Sequence, residues 1–439
     1  MPCEKCEPLL KKSFPFWEGL SESDRLDLMN GAGCAEFKKG QNIHNGTVCT
    51  GIIFVKTDYL RPFNSVKNNI YRTEEDRMSD YLFRRKLSYG IGHNTSCIWE
   101  NCENDNITPK WISTTFLPEY NVKNQSTDIH NFDKKYLDIK ELSSFSSNDK
   151  NIVSYLQLLA DSYYRWIENE CIISNNDLIN KNLSQINIDK CYAIHKRIQK
   201  GIELIEKDTD VLRAFQLANA AIYLQMFQNE KHFSKNDGYE AFEERELIQY
   251  SYNEYKTIDY PNINKKPCWR PFQLAFILQC IPSLVDGESD DRDIVDLLYF
   301  PTGGGKTEAY LALSAFLIFW RRIRYPKNYG GINIIIRYTL RLLSAQQFER
   351  ATKLILACEF IRRNNSDLGT ERITIGFWVG NSTIPNKRDD AKVILKDIQK
   401  KINKNKNHNN PFQLSNCQWC NTKIISPLYQ KGNISIGHR

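Results

Sequence analysis

Gly303, Gly304 and Gly305 stand directly before Lys306 and Thr307, a set of residue types suited to holding a triphosphate. Glycines let the main chain curl until several N–H groups face one anion, and a helix beginning there adds its partial positive charge. Lys306 is placed to reach the β- and γ-phosphates, and the Thr307 hydroxyl to ligate the Mg²⁺ that bridges them. Thr302 belongs to the same loop. The ligand implied is ATP with Mg²⁺. The strict form of this motif has glycine six residues before the lysine, where this chain has Phe300.

Other residues offer weaker chemistry. Gln273, about thirty residues before the loop, could donate to and accept from an adenine edge, or could equally be a surface or capping residue of the next helix. Arg337, Thr339 and Arg341 lie where a strand end meets a helix start and could bind nucleic-acid phosphates, which positions a strand without reading its sequence. The alternative is that these arginines pair with local carboxylates such as Glu349. Cys417 and Cys420 have zinc-knuckle spacing but make only half of a four-ligand site, and Cys3 and Cys6 form a second such pair with nothing to bring the two together.

The elements needed to position the loop are strand, turn and helix, in that order. Residues 295–300 are a mostly apolar run, and 308–324 continue as a helical stretch after the glycines. Residues 332–336 are a largely β-branched run, as in a fully buried parallel strand, and 373–380 read as the next strand, with Gly376 and Gly380 permitting close backbone approach. The fold class expected is α/β: an incomplete P-loop, parallel-sheet motor lobe at 268–399. A helical region at 151–267 precedes it, with Val153, Leu156, Leu159, Tyr163 and Trp166 recurring at helical spacing. Before that come a loop-rich α+β region at 62–150 and a small β-rich segment at 1–61. Residues 400–439 read as a Lys- and Asn-rich linker followed by the half zinc ribbon.

At 439 residues, two or three domains are expected, and 41% hydrophobic with 25% charged residues is the composition of an ordinary folded protein. The net charge of +7 permits nucleic-acid contact without requiring it. Thirteen cysteines at irregular spacing, with no leader pattern at Met1, suggest reduced thiols and a cytoplasmic location. The most apolar stretch, 310–320, is too short to span a bilayer, so no membrane association is expected.

The strings Trp269-Arg-Pro-Phe-Gln-Leu-Ala-Phe, Phe300-Pro-Thr-Gly-Gly-Gly-Lys-Thr-Glu-Ala-Tyr-Leu, Arg337-Tyr-Thr-Leu-Arg-Leu-Leu and Gln346-Gln-Phe-Glu-Arg-Ala resemble the superfamily 2 helicase component of the DISARM anti-phage defence system. The likeness extends back to Tyr89-Gly-Ile-Gly-His-Asn and Trp99, covering roughly residues 80–425. Helicases of that superfamily commonly relax the glycine position that Phe300 occupies. The resemblance implies a DNA-dependent ATPase acting with partner defence proteins on invading DNA.

No apolar strand ending in Asp-Glu follows Lys306, and a second motor lobe is also lacking. That pair holds Mg²⁺ and polarises the attacking water, so the expectation is a chain truncated before it, binding ATP with little turnover. Residues 14–20, 39–46 and 49–56 resemble the opening strands of a Crp/Fnr-type, cyclic-nucleotide-binding-like regulator. Neither the effector cassette nor the helix-turn-helix of such regulators is found. Two further readings stand beside the first: an effector-binding regulator fragment built on the N-terminal segment, and a nonfunctional fusion.

Overall fold

A computed structural model describes residues 54–55, 73–82, 89, 96–102, 105–114, 128–129, 131–146, 151–175, 181–233, 250–262, 266–300, 303–338, 341–379, 385, 387–404, 414 and 416–420. Apart from 54–55, the N-terminal segment expected to resemble a regulator lies outside them. The chain divides into two compact units, Met1–Asn124 with Asp177–Ser184, and Gln125–Asn176 with Gln185–Arg439.

The first unit carries helix α1 (Glu74–Leu82) and a three-stranded antiparallel sheet in the order β1-β3-β2. Here β1 is Phe54–Val55, β2 is Cys97–Cys102 and β3 is Asp105–Thr114. The register runs from Cys97 opposite Thr114 to Cys102 opposite Asp105, with irregularities on both sides of Asn101, which faces Pro109. Proline has no N–H to give the ladder, so a break there is expected. Thr73 caps α1 through reciprocal bonds with Asp76: the Asp76 N–H donates to the threonine hydroxyl, while Oδ2 accepts from the Thr73 N–H. Tyr89 sits edge-on to Trp99 with centroids 5.5 Å apart.

The second unit is built on long helices: α2 (Ile152–Asn175), α3 (Lys181–Lys207, of which the last 23 residues from Gln185 belong here), α4 (Thr209–Phe233), the short α5 (Glu254–Thr257), α6 (Pro271–Val285), α7 (Lys306–Arg324), α8 (Arg341–Arg363) and α9 (Arg388–Asn403). The break between α3 and α4 has a local cause. Asp208 Oδ1 accepts from the N–H of Asp210 at 2.9 Å and of Val211 at 3.3 Å, satisfying donors at the start of α4. Helix α4 is buried nearly all round, from Val211 through Phe215 and Tyr223 to Phe227, as suits a central element. It lies along α7 and also meets α8, while α6 packs on α7.

The buried face of α2 carries Ile152, Leu156, Leu159, Ala160 and Ile167. Trp166, read from its spacing as part of that stripe, is instead 50% exposed, because a step of four residues from Tyr163 leads to Ile167. Helix α7 ends in Arg321, Arg322 and Arg324, which suit the negative end of its dipole. Arg322 is nevertheless buried: it donates to the Leu368 carbonyl at 2.8 Å and lies over the Tyr329 ring. No helix among the described residues is long and apolar enough to cross a membrane.

The runs 295–300, 332–336 and 373–379 carry no strand ladder among the described residues. Two of them keep a period of two in exposure. Val295, Leu297 and Tyr299 are exposed while Asp296, Leu298 and Phe300 are half-buried, and Ile373, Ile375 and Phe377 turn inward while Trp378 is 100% exposed. The run 332–336, read as a fully buried strand, leaves Ile332 81% and Ile335 76% exposed. A parallel strand is buried only when layers cover both faces and neighbours take its hydrogen bonds.

Candidate functional site

The glycine loop is shaped before any side chain acts on it. Gly303 and Gly305 both take left-handed φ values, 81° and 82°, and Gly305 is the N-cap of α7. An L-residue is strained in that conformation, and at Gly305 a Cβ would also come within 2.6 Å of Gln273 Nε2. The loop is gripped from α6. Gln273 Nε2 donates to the Gly305 carbonyl at 2.6 Å, its Oε1 accepts from the Arg270 main-chain N–H at 2.8 Å, and Arg270 Nη1 donates to the Gly303 carbonyl at 3.4 Å. Pro271 at the first turn of α6 needs no N–H partner, which frees Gln273 for this double duty. Gln273 is therefore buried, with the geometry of a capping residue that also holds the loop.

The residue that departs from the strict glycine pattern has a structural role. The Phe300 ring stacks on Phe272 of α6, centroids 4.1 Å apart and planes 6° from parallel, so it turns from the loop toward the helix. Its carbonyl accepts from the Lys306 ammonium. Upstream, Asp296 receives a two-pronged bond from Arg197 on α3, at 2.6 and 2.8 Å. That guanidinium holds the Asp296 carboxyl below its ordinary range, and burial together with Asp296 pushes the Cys280 thiol up to about 12.

Beyond the loop, Thr307 Oγ1 accepts from the Tyr310 hydroxyl at 3.0 Å, and Tyr310 lies 2.7 Å from the hydroxyl of Tyr338. Glu308 pairs with Arg350 of α8 through one carboxylate oxygen, while the other, Oε2, is buried without a hydrogen-bond partner. Tyr310, Tyr338 and Arg350 are absent from the sequence reading of the site. Tyr310 and Tyr338 fall inside the strings quoted above, but only proximity in space reveals the pairing. Phe348 of α8 stacks on Phe377 at 4.6 Å, and Glu359 accepts from the Ile373 N–H at 3.0 Å, which docks 373–379 onto α8.

Of the residues singled out for nucleic acid, Arg337 is exposed, Arg341 opens α8 with a side chain outside the described set, and Thr339 lies outside it, as does Thr302. Glu349 is exposed, and the ion pair of this region is made by its neighbour Arg350. Cys417 and Cys420 meet across a turn, and the bond between them, then burial, raises the Cys417 thiol. Trp419 between them packs 5.5 Å from Phe360. No group of three or more metal-ligating side chains occurs among the described residues. That is compatible with Mg²⁺, which is commonly held by a nucleotide's phosphates and one or two protein oxygens.

No family model matches the sequence. Over 336 residues the chain is 34% identical to the DISARM protein DrmA of Bacillus paralicheniformis, a match covering 73% of this chain and 28% of the relative. The chain thus spans less than a third of that relative's length.

Proposed function

We propose that this chain, related over most of its length to a DISARM protein, is a phage-defence component whose Gly303–Thr307 loop binds Mg·ATP in a superfamily 2 helicase-like lobe. One observation carries the reading: two left-handed glycines lead into the 19-residue helix α7, whose first residues are Lys306 and Thr307. Main-chain N–H groups at such a turn are free of helix partners, and the dipole favours an anion there. Lys306 supplies the cation, and Thr307 the hydroxyl oxygen for the metal. DNA is the polymer proposed for Arg337, Thr339 and Arg341, bound through its backbone, and other defence proteins are the proposed partners. The cytoplasm is the proposed location.

The proposal concerns binding of the nucleotide by this loop. Thermal unfolding with and without Mg·ATP tests the reading. Saturating nucleotide at about a hundred times its Kd adds about 2.7 kcal/mol to the stability of a protein that binds it only when folded. The midpoint is expected to rise for the natural chain and to stay put in Lys306→Ala. No shift in the natural chain would remove the proposal. A rise with cyclic nucleotide instead would favour an effector-binding module.

A further inference from the structure

The helix that begins at the loop carries a second feature, one that nucleotide binding alone does not require. Tyr310 stands one turn beyond Thr307 on α7, and its hydroxyl proton is directed to Thr307 Oγ1. With that proton engaged, the 2.7 Å contact to Tyr338 makes Tyr338 the donor of the second bond. The result is a directional row of hydroxyls, Tyr338 to Tyr310 to Thr307, spanning from the run 331–338 to the oxygen proposed for magnesium. Burial, and then the bond to Tyr310, raise the Tyr338 phenol, with Arg350 opposing.

The run at the far end is lightly held. Its side-chain hydrogen bonds to described residues go to α7 alone: Asn333 to Arg321 near the start, and Tyr338 to Tyr310 at the finish. Between them Ile335 and Ile336 are 76% and 41% exposed, so little packing substitutes for those anchors. A segment with few buried contacts and two polar tethers opens more easily when one of them weakens.

We propose that Tyr310 and Tyr338 make the anchoring of 331–338 depend on whether a metal–nucleotide occupies Thr307. This rests on the reading of Thr307 as the metal ligand. Thr307 Oγ1, if it held a cation, would lose electron density to it and become a poorer acceptor for Tyr310. Bonds in a row polarise one another, so a change at one end alters the strength of the next. Tyr310 is then free to turn its proton toward Tyr338, which reverses that bond and turns the Tyr338 proton out to solvent, and the tether of the run changes with it. Arg337 is the next residue along, so the segment so controlled carries the exposed cation proposed to meet a nucleic-acid backbone. Tyr310 and Tyr338 are positioning residues here, acting through Thr307.

Amide hydrogen exchange read by mass spectrometry on peptides covering 331–338 tests this in the full chain. The conditions are no ligand, ADP with chelator, and Mg·ADP, with thermal midpoints measured alongside. One net hydrogen bond corresponds to roughly a two- to tenfold change in local opening. The natural chain is expected to change its exchange by that factor with Mg·ADP and not with ADP and chelator. Tyr338→Phe keeps the ring and the Thr307–Tyr310 bond, so it is expected to retain the thermal shift and lose the exchange response. Tyr310→Phe cuts the row one step earlier and serves as the second variant. A magnesium-dependent response that survives in Tyr338→Phe overturns the coupling, as does a natural chain that gains thermal stability without any change at 331–338. A Tyr338→Phe variant that loses the thermal shift also overturns it, since the hydroxyl would then serve binding itself. No thermal shift in the natural chain defeats the nucleotide reading, and the coupling falls with it.

Discussion

The Gln273 carboxamide spans 2.6 Å to the Gly305 carbonyl and 2.8 Å to the Arg270 N–H, so one buried side chain ties the first turn of α6 to the glycine loop. A residue that could read an adenine edge is occupied at both ends by main chain. If the loop binds nucleotide as proposed, Gln273 would act on affinity through loop shape and be blind to the base.

Gln273→Ala is expected to cost about 1–2 kcal/mol of stability, the order of a lost cap with a buried carbonyl left unpaired. Affinity for ATP and for GTP is expected to fall by the same factor, measured by calorimetry on both. A selective loss for ATP would place the amide on adenine after all.

Asp296 and Arg197 form the tie between α3 and the run that leads into the loop, with side chains 19% and 13% exposed. Breaking a fully buried pair from one side costs roughly 3–5 kcal/mol, and partial exposure brings the expectation for Asp296→Asn to about 2 kcal/mol. The double variant Arg197→Met with Asp296→Leu removes both charges and is expected to recover part of that loss in urea unfolding. Additive losses in the double variant would show that the pair does not interact.

The glycine turn into α7 was legible because it lies in contiguous residues: glycines allow the left-handed turn, and the stretch after them keeps a helical pattern. The buried stripe of α8 was legible for a similar reason, since Leu354, Cys358 and Ile361 follow helical period and are all within 1% of full burial. Trp166 misled because a step of three and a step of four are both helical, and only packing decides between them. Gln273 was ambiguous because a capping residue and an adenine reader need the same functional group. The Tyr310–Tyr338 pair was not legible at all, for it depends on how the run after α7 folds back along that helix.

Leu297 and Tyr299 are 86% and 83% exposed on the outward face of the run before the loop. Exposed apolar side chains gathered on one face promote association rather than folding. Leu297→Ser with Tyr299→Ser is expected to change the unfolding free energy by under about 0.5 kcal/mol. The same variant is expected to lower self-association in sedimentation at raised protein concentration. A large loss of stability would mean that these side chains are buried in solution.

Gly201 of α3 faces the Leu278 carbonyl of α6, where an added Cβ would lie 2.1 Å from the oxygen. Backbone cannot yield as a side-chain tip can, so the two helices must part. Gly201→Ala would otherwise gain about 1 kcal/mol from helix propensity. Overpacking of this kind typically costs about 1–3 kcal/mol and is expected to win, giving a net destabilisation in chemical unfolding. A stabilised variant would show that the helices stand further apart.

Glu359 supplies the pH dependence. Burial acts to raise its carboxyl, but bonds from Arg362, from the Ile373 N–H and from Arg363 outweigh it and hold the group at about 2, below its ordinary 4.5. Since the folded value is the lower one, the folded state favours the charged carboxylate. The stabilisation is complete above about 4.5 and drains away as pH falls toward about 2. Glu359→Gln removes the titrating proton while keeping an acceptor oxygen for Ile373. It is expected to be less stable than the natural chain at neutral pH, and the gap should narrow as acid is added. Other carboxylates titrate in both proteins, so the difference between the two curves isolates this group. Unfolding curves that run parallel from neutral pH down to about 3 would mean that Glu359 has no special role in joining α8 to the run at 373–379.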